Sequence, residues 1–524
     1  MRTILNWLRD VVTRTRLAAG VSVSMAFVVA TIIYLRTMMP TVEWMDIAEF
    51  QTVTYVLGIA HPTGYPLYIV VGKVFGTLVP TGEWAGRMNL MSVLCTATAA
   101  ALLVVLALRY EASPPIALAG ALGFAFTLNT WKAAGHADPY TLTLLLGASL
   151  WLMTMRWADT GEPRRLWTIA FVSGVGLGSA MVLVMELPAI ILYALLTQPR
   201  KFVAPKTVIV AGLLGVLGVV GIYAYLPLRA MMHPPLNYGN TSTWHGFRQV
   251  ALAGQVGGFM SFLRWGSLTH FIENVPTQAV GWYRQWLGGG AEMVVGLLAL
   301  IGLGALTIRD WRFALCVMLG IVSPMWTILT VFINETSHYL LISNWLLFFL
   351  AALGMQALVI APIRRLSQTH LRHALSLIAG AAALILPYYL VEANWSLADM
   401  HEYRQDYLTM KQILSLLKPG AIVFSWWGPR TTLWYGQYFD GLRPDVEVVD
   451  TTAMADHGWV DETDGMRYYY GKRPVYTLPF FDQLARYKKK FHLHLVGDPN
   501  AFGGGLYEID GLTADAIAST PPHK

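Results

Sequence analysis

Residues 43–66 place two carboxylates, Asp46 and Glu49, three positions apart, ahead of the run His61-Pro62-Thr63-Gly64-Tyr65-Pro66. On a helix that spacing puts both acids on one face. Proline and glycine stop the helix, so a stiff loop follows and presents His61 and Tyr65. Paired carboxylates repel, which perturbs their protonation and suits one of them to accept a proton. The stretch begins just after the first long apolar segment, where acids are costly to desolvate and invite a functional explanation. On their own, solvated loop acids, one of them capping the helix, are the more ordinary reading.

The elements that position these residues are membrane helices. The chain has 524 residues, 55% hydrophobic and 13% charged. A soluble protein of this length needs far more charge to cover its surface. The composition predicts a polytopic α-helical membrane protein. The net charge of +6 comes from basic residues between spans, so nucleic acid is not implied. Cys95 and Cys316 lie in apolar runs and form neither a disulfide framework nor a metal site. The run at 17–35 is long for a signal peptide and lacks a small-residue cleavage site, which predicts a retained anchor.

Apolar runs predict about eleven transmembrane helices, with cores at 17–37, 88–108, 115–130, 140–156, 166–182, 185–197, 207–227, 291–307, 312–332, 339–361 and 373–391. Residues 166–197 fit one long helix or a hairpin turning near Glu186. The basic loops favour two spans, with Glu186 at the outer surface. Arg2, Arg9, Arg14 and Arg16 precede the first span, so the N-terminus is expected in the cytoplasm. Loops 38–87 and 228–290 and the tail then share the outer face. The tail alternates strand candidates (421–426, 445–450) with helical patterns (399–418, 431–440), an α/β signature. The expected division is a transmembrane catalytic region, 1–393, and an extracytoplasmic α/β domain, 394–524. Compactness and short loops point to a bacterial plasma membrane.

Several stretches together resemble a known family. They are Asp46-x-x-Glu49-Phe50, then Leu57 to Tyr68 with its His-Pro-x-Gly-Tyr-Pro loop, then Arg87-Met88-Asn89-Leu90. Ala137-Asp138-Pro139-Tyr140-Thr141-Leu142, Tyr225-Leu226-Pro227-Leu228-Arg229 and Pro235-Leu236-Asn237-Tyr238-Gly239 continue the likeness. Pro419-Gly420-Ala421-Ile422 and Arg443-Pro444-Asp445-Val446 carry it into the tail. The family is a polytopic one long catalogued as of unknown function, whose eukaryotic members are protein O-mannosyltransferases of the GT-C superfamily. Three departures stand out. Asp138 replaces a frequent Glu, Ser179-Ala180-Met181 lacks a frequent His, and Trp426-Trp427-Gly428-Pro429 replaces the Gly-Asp that usually follows the first tail strand.

The resemblance implies a GT-C-like fold and inverting transfer of a sugar, such as mannose, from a polyprenyl-phosphate carrier to a protein or glycan acceptor on the outer face. The acceptor hydroxyl needs a base, and the resemblance assigns that role to Asp46, with Glu49 second. Asp138 fits equally a further active-site carboxylate and the N-cap of the following helix. Arg229, at the outer end of a span, suits a lipid phosphate. Arg87 is open between phosphate and headgroup, and Lys73 is a weaker candidate of the same kind. His61, Tyr65 and Asn237 are expected near the sugar or phosphate, although a lone loop His is more often structural. His338 fits either the lipid-phosphate entrance or an aromatic belt, and the belt suits Tyr339 better. No Gly-rich phosphate loop, His/Cys metal spacing or nucleophile elbow occurs, so no cofactor or metal ligand is assigned and a divalent metal has no support. The competing readings are a membrane transporter or lipid flippase, and a non-catalytic scaffold. The outer-loop position of the acids and the lack of inverted repeats favour the enzyme.

Overall fold

Prolines begin many of the helices. Pro66, Pro114, Pro139, Pro163, Pro188 and Pro205 stand in first turns, where a missing N–H costs nothing. The computed structural model describes residues 2–80, 82–254, 290–331, 337–364, 366–449, 459, 461–480 and 482–514. In chain order the helices are α1 (Arg2–Thr37), α2 (Met45–Val56), α3 (Pro66–Leu78), α4 (Trp84–Arg109), α5 (Pro114–Ala125), α6 (Leu128–Gly135), α7 (Pro139–Thr160), α8 (Pro163–Gly176), α9 (Leu187–Thr197), α10 (Pro199–Phe202), α11 (Pro205–Tyr223), α12 (Tyr225–Ala230) and α13 (Trp244–Ala251). They continue as α14 (Glu292–Val331), α15 (Leu341–Met355), α16 (Thr369–Ala383), α17 (Ile385–Ala398), α18 (Gln405–Leu416), α19 (Trp427–Tyr438), α20 (Glu462–Tyr469) and α21 (Gln483–Lys490).

Among the described residues, six helical segments are long and apolar enough to cross a membrane: Leu17–Thr37, Trp84–Arg109, Pro205–Ala230, Met293–Trp326, His338–Arg364 and Thr369–Ala398. Leu213, Leu217, Leu300 and Leu377 stand exposed on them, an arrangement that needs lipid as its solvent. This is an integral, multi-pass membrane protein. Pro66–Leu78, Pro114–Ala125 and Met181–Thr197 are apolar but shorter, so the expected count of about eleven spans is not confirmed among the described residues. The predicted span at 115–130 shows why: α5 has 12 residues, about 18 Å of helix, before Thr127 caps a new one. The run 291–332 breaks at Asp310, whose backbone leaves helical geometry and whose Oδ1 accepts the Phe313 N–H at 3.2 Å.

Residues 166–197 form neither one helix nor the expected surface turn. α8 ends at Gly176, a 3-10 turn spans Met181–Met185, and α9 follows. Glu186 is 1% exposed, and its Oε2 accepts the Trp151 indole N–H at 3.1 Å. The expectation that it lies at the outer surface is therefore corrected. Burial against Trp151 and Gly320 takes it out of contact with water and lipid alike.

The tail carries β1 (Ile422–Ser425), β2 (Glu447–Val448), β3 (Val475–Leu478), β4 (Phe491–Val496) and β5 (Leu506–Leu512), in the order β2-β1-β3-β5-β4. The first three are parallel and the last two pairings antiparallel. The α/β expectation matches this, with α19 starting already at Trp427. The 38–87 segment is largely α2 and α3, and residues 255–289 of the expected 228–290 loop lie outside the described residues. One apolar core fills the helical body around Trp131, Trp151, Trp345 and Phe313. A second joins Phe50, Tyr68 and Trp84 to Met410, Trp434 and Tyr435, so the sheet region and α2 share an interior.

Candidate active site

The helix α2 is held at both ends and along its buried face. Gln51 Nε2 donates to Asn89 Oδ1 at 3.0 Å, and Asn89 Nδ2 donates to the Met39 carbonyl at 2.8 Å. Trp84 Nε1 donates to Thr54 Oγ1 at 3.0 Å. At the C-terminal end the orphan carbonyls meet cations, which the helix dipole favours. Lys73 Nζ donates to Tyr55 O at 2.6 Å, Arg229 Nε to Leu57 O at 2.6 Å and Arg229 Nη2 to Val56 O at 3.0 Å. At the N-terminal end, α19 donates Thr431 Oγ1 to Met45 O at 2.8 Å and Thr432 Oγ1 to Glu43 O at 3.3 Å.

So fixed, α2 presents Asp46 and Glu49 to the loop that follows it. The Glu49 side chain is 2% exposed and Asp46's is 52%. The His61 backbone N–H donates to Glu49 Oε1 at 2.8 Å, and its Nδ1 pairs with Glu49 Oε2. His61 Nε2 lies 3.8 Å from Asp46 Oδ2. Burial raises the Glu49 carboxyl above its usual range, with His61 opposing. Burial also works against an imidazolium, but the Glu49 and Asp46 charges outweigh it and lift His61 to about 9. The two acids therefore favour the protonated form of the imidazole between them.

A second cluster lies alongside. Asp138 is 3% exposed and divides its oxygens: Oδ1 accepts the Tyr140 N–H at 2.7 Å, and Oδ2 meets His338 Nδ1 at 2.6 Å. The cap, one of the two alternatives left open in the sequence, is thus realised, and the second oxygen faces His338. Glu43 Oε2 is 3.2 Å from His136 Nδ1. Tyrosines connect the clusters, with Tyr65 OH 3.3 Å from Tyr140 OH and the Tyr140 ring 5.9 Å from that of His338. Two donor sets, Asp46/Glu49/His61 and His136/Asp138/His338, each offer ligand atoms within 4.8 Å of one another and could hold a divalent cation. His136 Nε2 is buried without a hydrogen-bond partner among the described residues, which fits the second set for that use.

The structure gathers Asp46, Glu49, His61, Tyr65, Asp138 and His338 into this region. Asn237 flanks it through a bridge between Ile59 and Asn237, and its buried Oδ1 has no partner among the described residues. The three expected phosphate cations have other tasks. Arg229 and Lys73 cap α2, and Arg87 donates to Gly76 O at 2.8 Å and Gly82 O at 3.0 Å. The Arg229 guanidinium, expected to meet a phosphate, is here engaged by the backbone at the end of α2. Sequence reasoning missed Glu43, although it opens the same acidic stretch, and Trp427, whose Nε1 donates to Asp46 Oδ1 at 2.6 Å. The Trp426-Trp427 departure after the first tail strand was the available signal.

Comparison with known proteins bears on this arrangement. Residues 46–202 match the family model of the protein O-mannosyl-transferase TMEM260 N-terminal domain. Asp46, Glu49, His61, His136 and Asp138 fall inside the matched segment, while His338 and Trp427 come from outside it. The chain is 26% identical over 429 residues to protein O-mannosyl-transferase TMEM260 of Mus musculus, covering 78% of this chain and 59% of the mouse protein. It is 25% identical over 304 residues to protein O-mannosyl-transferase tmem260 of Dictyostelium discoideum, covering 52% and 36%. The chain thus spans less than two thirds of either curated relative. Both relatives are eukaryotic, so they lend no support to the bacterial plasma membrane expected from compactness. Among solved structures, ArnT from Cupriavidus metallidurans in the apo state aligns with TM-score 0.59 at 11% identity, over 96% of this chain and 98% of that one. The same protein bound to undecaprenyl phosphate aligns with TM-score 0.58 at 12% identity, over 93% and 97%. The chain therefore shares the fold of ArnT.

Proposed function

We propose that this chain is an inverting membrane glycosyltransferase that moves mannose from a polyprenyl-phosphate carrier to a protein hydroxyl. The observation that carries the reading is the Asp46–His61–Glu49 constellation: an open carboxyl group beside an imidazole that is itself anchored by a buried one. In the proposed reaction Asp46 accepts the proton of the acceptor hydroxyl. The acceptor oxygen forms its bond to the anomeric carbon as the carbon–phosphate oxygen bond breaks, and the polyprenyl phosphate leaves with the electron pair. Asp138, held by His338 and the start of α7, lines the same space. The unpartnered Asn237 oxygen suits a sugar hydroxyl donor. An apolar cavity of about 510 Å³, lined by Ile169, Ile190, Phe202, Val208, Val216 and Val220 between α8, α9 and α11, suits an isoprenoid chain. The names of the relatives support mannose and protein, and the ArnT complex supports the carrier class.

Lys/Arg asymmetry places the N-terminus in the cytoplasm and the tail outside in this reading. The test is reconstitution of the purified full chain in vesicles with mannosyl-phosphoryl-polyprenol and a Ser/Thr peptide. Transfer is expected only when peptide is supplied on the side from which Lys472→Cys reacts with an impermeant maleimide. No transfer from either side would refute the enzyme reading, and transfer from the opposite side would refute the orientation.

A further inference from the structure

Trp427 belongs to the tail, 381 residues beyond Asp46, yet it makes a direct bond to that carboxylate. It opens α19 immediately after β1, at the position where the chain departs from the pattern of its family. Its indole is fixed from several sides. The His61 and Tyr238 rings meet it edge-on at 5.9 and 6.0 Å, Trp434 does so at 6.4 Å, and the Arg430 guanidinium lies over it at 5.1 Å. The helix carrying it is tied to the residues before Asp46 by Thr431 and Thr432, and Trp426 packs edge-on against Trp44 at 5.6 Å. Asp46 is half exposed, so without a partner its carboxylate would rotate among water contacts. An indole nitrogen can only donate. It therefore holds Oδ1 without ever protonating the base and leaves Oδ2 on the side of His61.

We propose that Trp427 is a positioning residue that fixes the Asp46 carboxylate for proton acceptance, so that the tail domain completes the active site. This rests on the transferase reading above. Trp427→Phe keeps the ring and removes the donor; Trp427→Gln restores a donor of similar reach without the ring. Trp427→Phe should lower kcat by about ten- to a hundred-fold, the scale of a hydrogen bond to a charged group, with KM for the lipid donor unchanged. Trp427→Gln should recover most of that loss. In an Asp46→Asn background Trp427→Phe should change nothing further, because the group it acts through is gone. A purely structural role predicts the same factor in both backgrounds. That result, or a Trp427→Phe enzyme with wild-type kcat, overturns the proposal. If Trp427→Phe does not fold, as read by its melt, Trp427→Gln decides alone: near-wild-type kcat supports the proposal and a loss matching Asp46→Asn refutes it. An inert wild-type chain would instead refute the transferase reading, and with it the role given to Trp427.

Discussion

Asp46 and Glu49 share a helical face but not an environment. One is open to solvent and the other is sealed against His61, so only the first can meet a substrate hydroxyl. His61 makes the pair electrically tolerable, and its raised pKa has a consequence for stability. A His whose folded pKa is lifted from 6.5 to about 9 stabilises fully below 6.5 and loses that contribution as pH rises through 9. Glu49, raised by burial, acts in the same direction. The melting temperature of the purified protein should therefore fall as pH is taken from 6.5 to 9, and the slope should largely vanish in His61→Gln. An unchanged slope in that variant would show that other groups titrate. The acids and the loop histidine were legible in the sequence because they lie within 16 positions of one another. Trp427 was not, because nothing local reports a contact 381 residues away.

At the scale of elements, the cations chosen from the sequence prove to be helix caps. A sequence shows that an Arg ends a span, but not that backbone carbonyls 172 and 173 positions earlier receive it. Arg229→Leu should destabilise the protein by about 1–3 kcal/mol, the cost of leaving buried acceptors unpaired, and lower kcat by letting α2 drift. KM for the lipid donor should stay the same, and Arg229→Lys should regain part of the stability. A raised KM with an unaltered melt would restore the phosphate role. Helix bounds were hard to read for a related reason. Apolar composition marks 115–130 as one segment, whereas the helix breaks between Ala125 and Leu128, where the Thr127 hydroxyl donates to the Phe124 carbonyl. The Asp138 cap, by contrast, was legible, because a cap is local chemistry and Asp-Pro-Tyr-Thr states it.

At the scale of the whole molecule, the sheet-bearing tail and the helical body meet at α2, the helix that carries Asp46 and Glu49. The Tyr435 hydroxyl accepts the Ala85 N–H at 3.2 Å, and the threonines of α19 hold the start of α2. A chain ending at Ala398 should keep its membrane helices but lose transfer entirely, and limited proteolysis should cut within residues 41–46. Retained transfer by that truncation would reduce the tail to an accessory domain. The tail's strand pattern was readable because β-branched and apolar runs alternate with helical ones, as at 421–426. That the tail packs on the outer segments was expected as well; the residues that make the contact were not legible, since the aromatic face of α19 reads equally well as the interior of an autonomous domain.

The central claim is that Asp46 accepts the proton of the attacking hydroxyl. Its most direct test is the single-turnover rate of mannose transfer by Asp46→Asn with saturating lipid donor and acceptor peptide. The substitution keeps the size of the side chain and its place on α2 while removing the base. The account predicts a rate lower by about two to four orders of magnitude, the usual worth of general-base assistance, with lipid-donor affinity intact. Near-wild-type transfer by Asp46→Asn, together with loss of transfer in Glu49→Gln or Asp138→Asn, would contradict it and move the base to that residue.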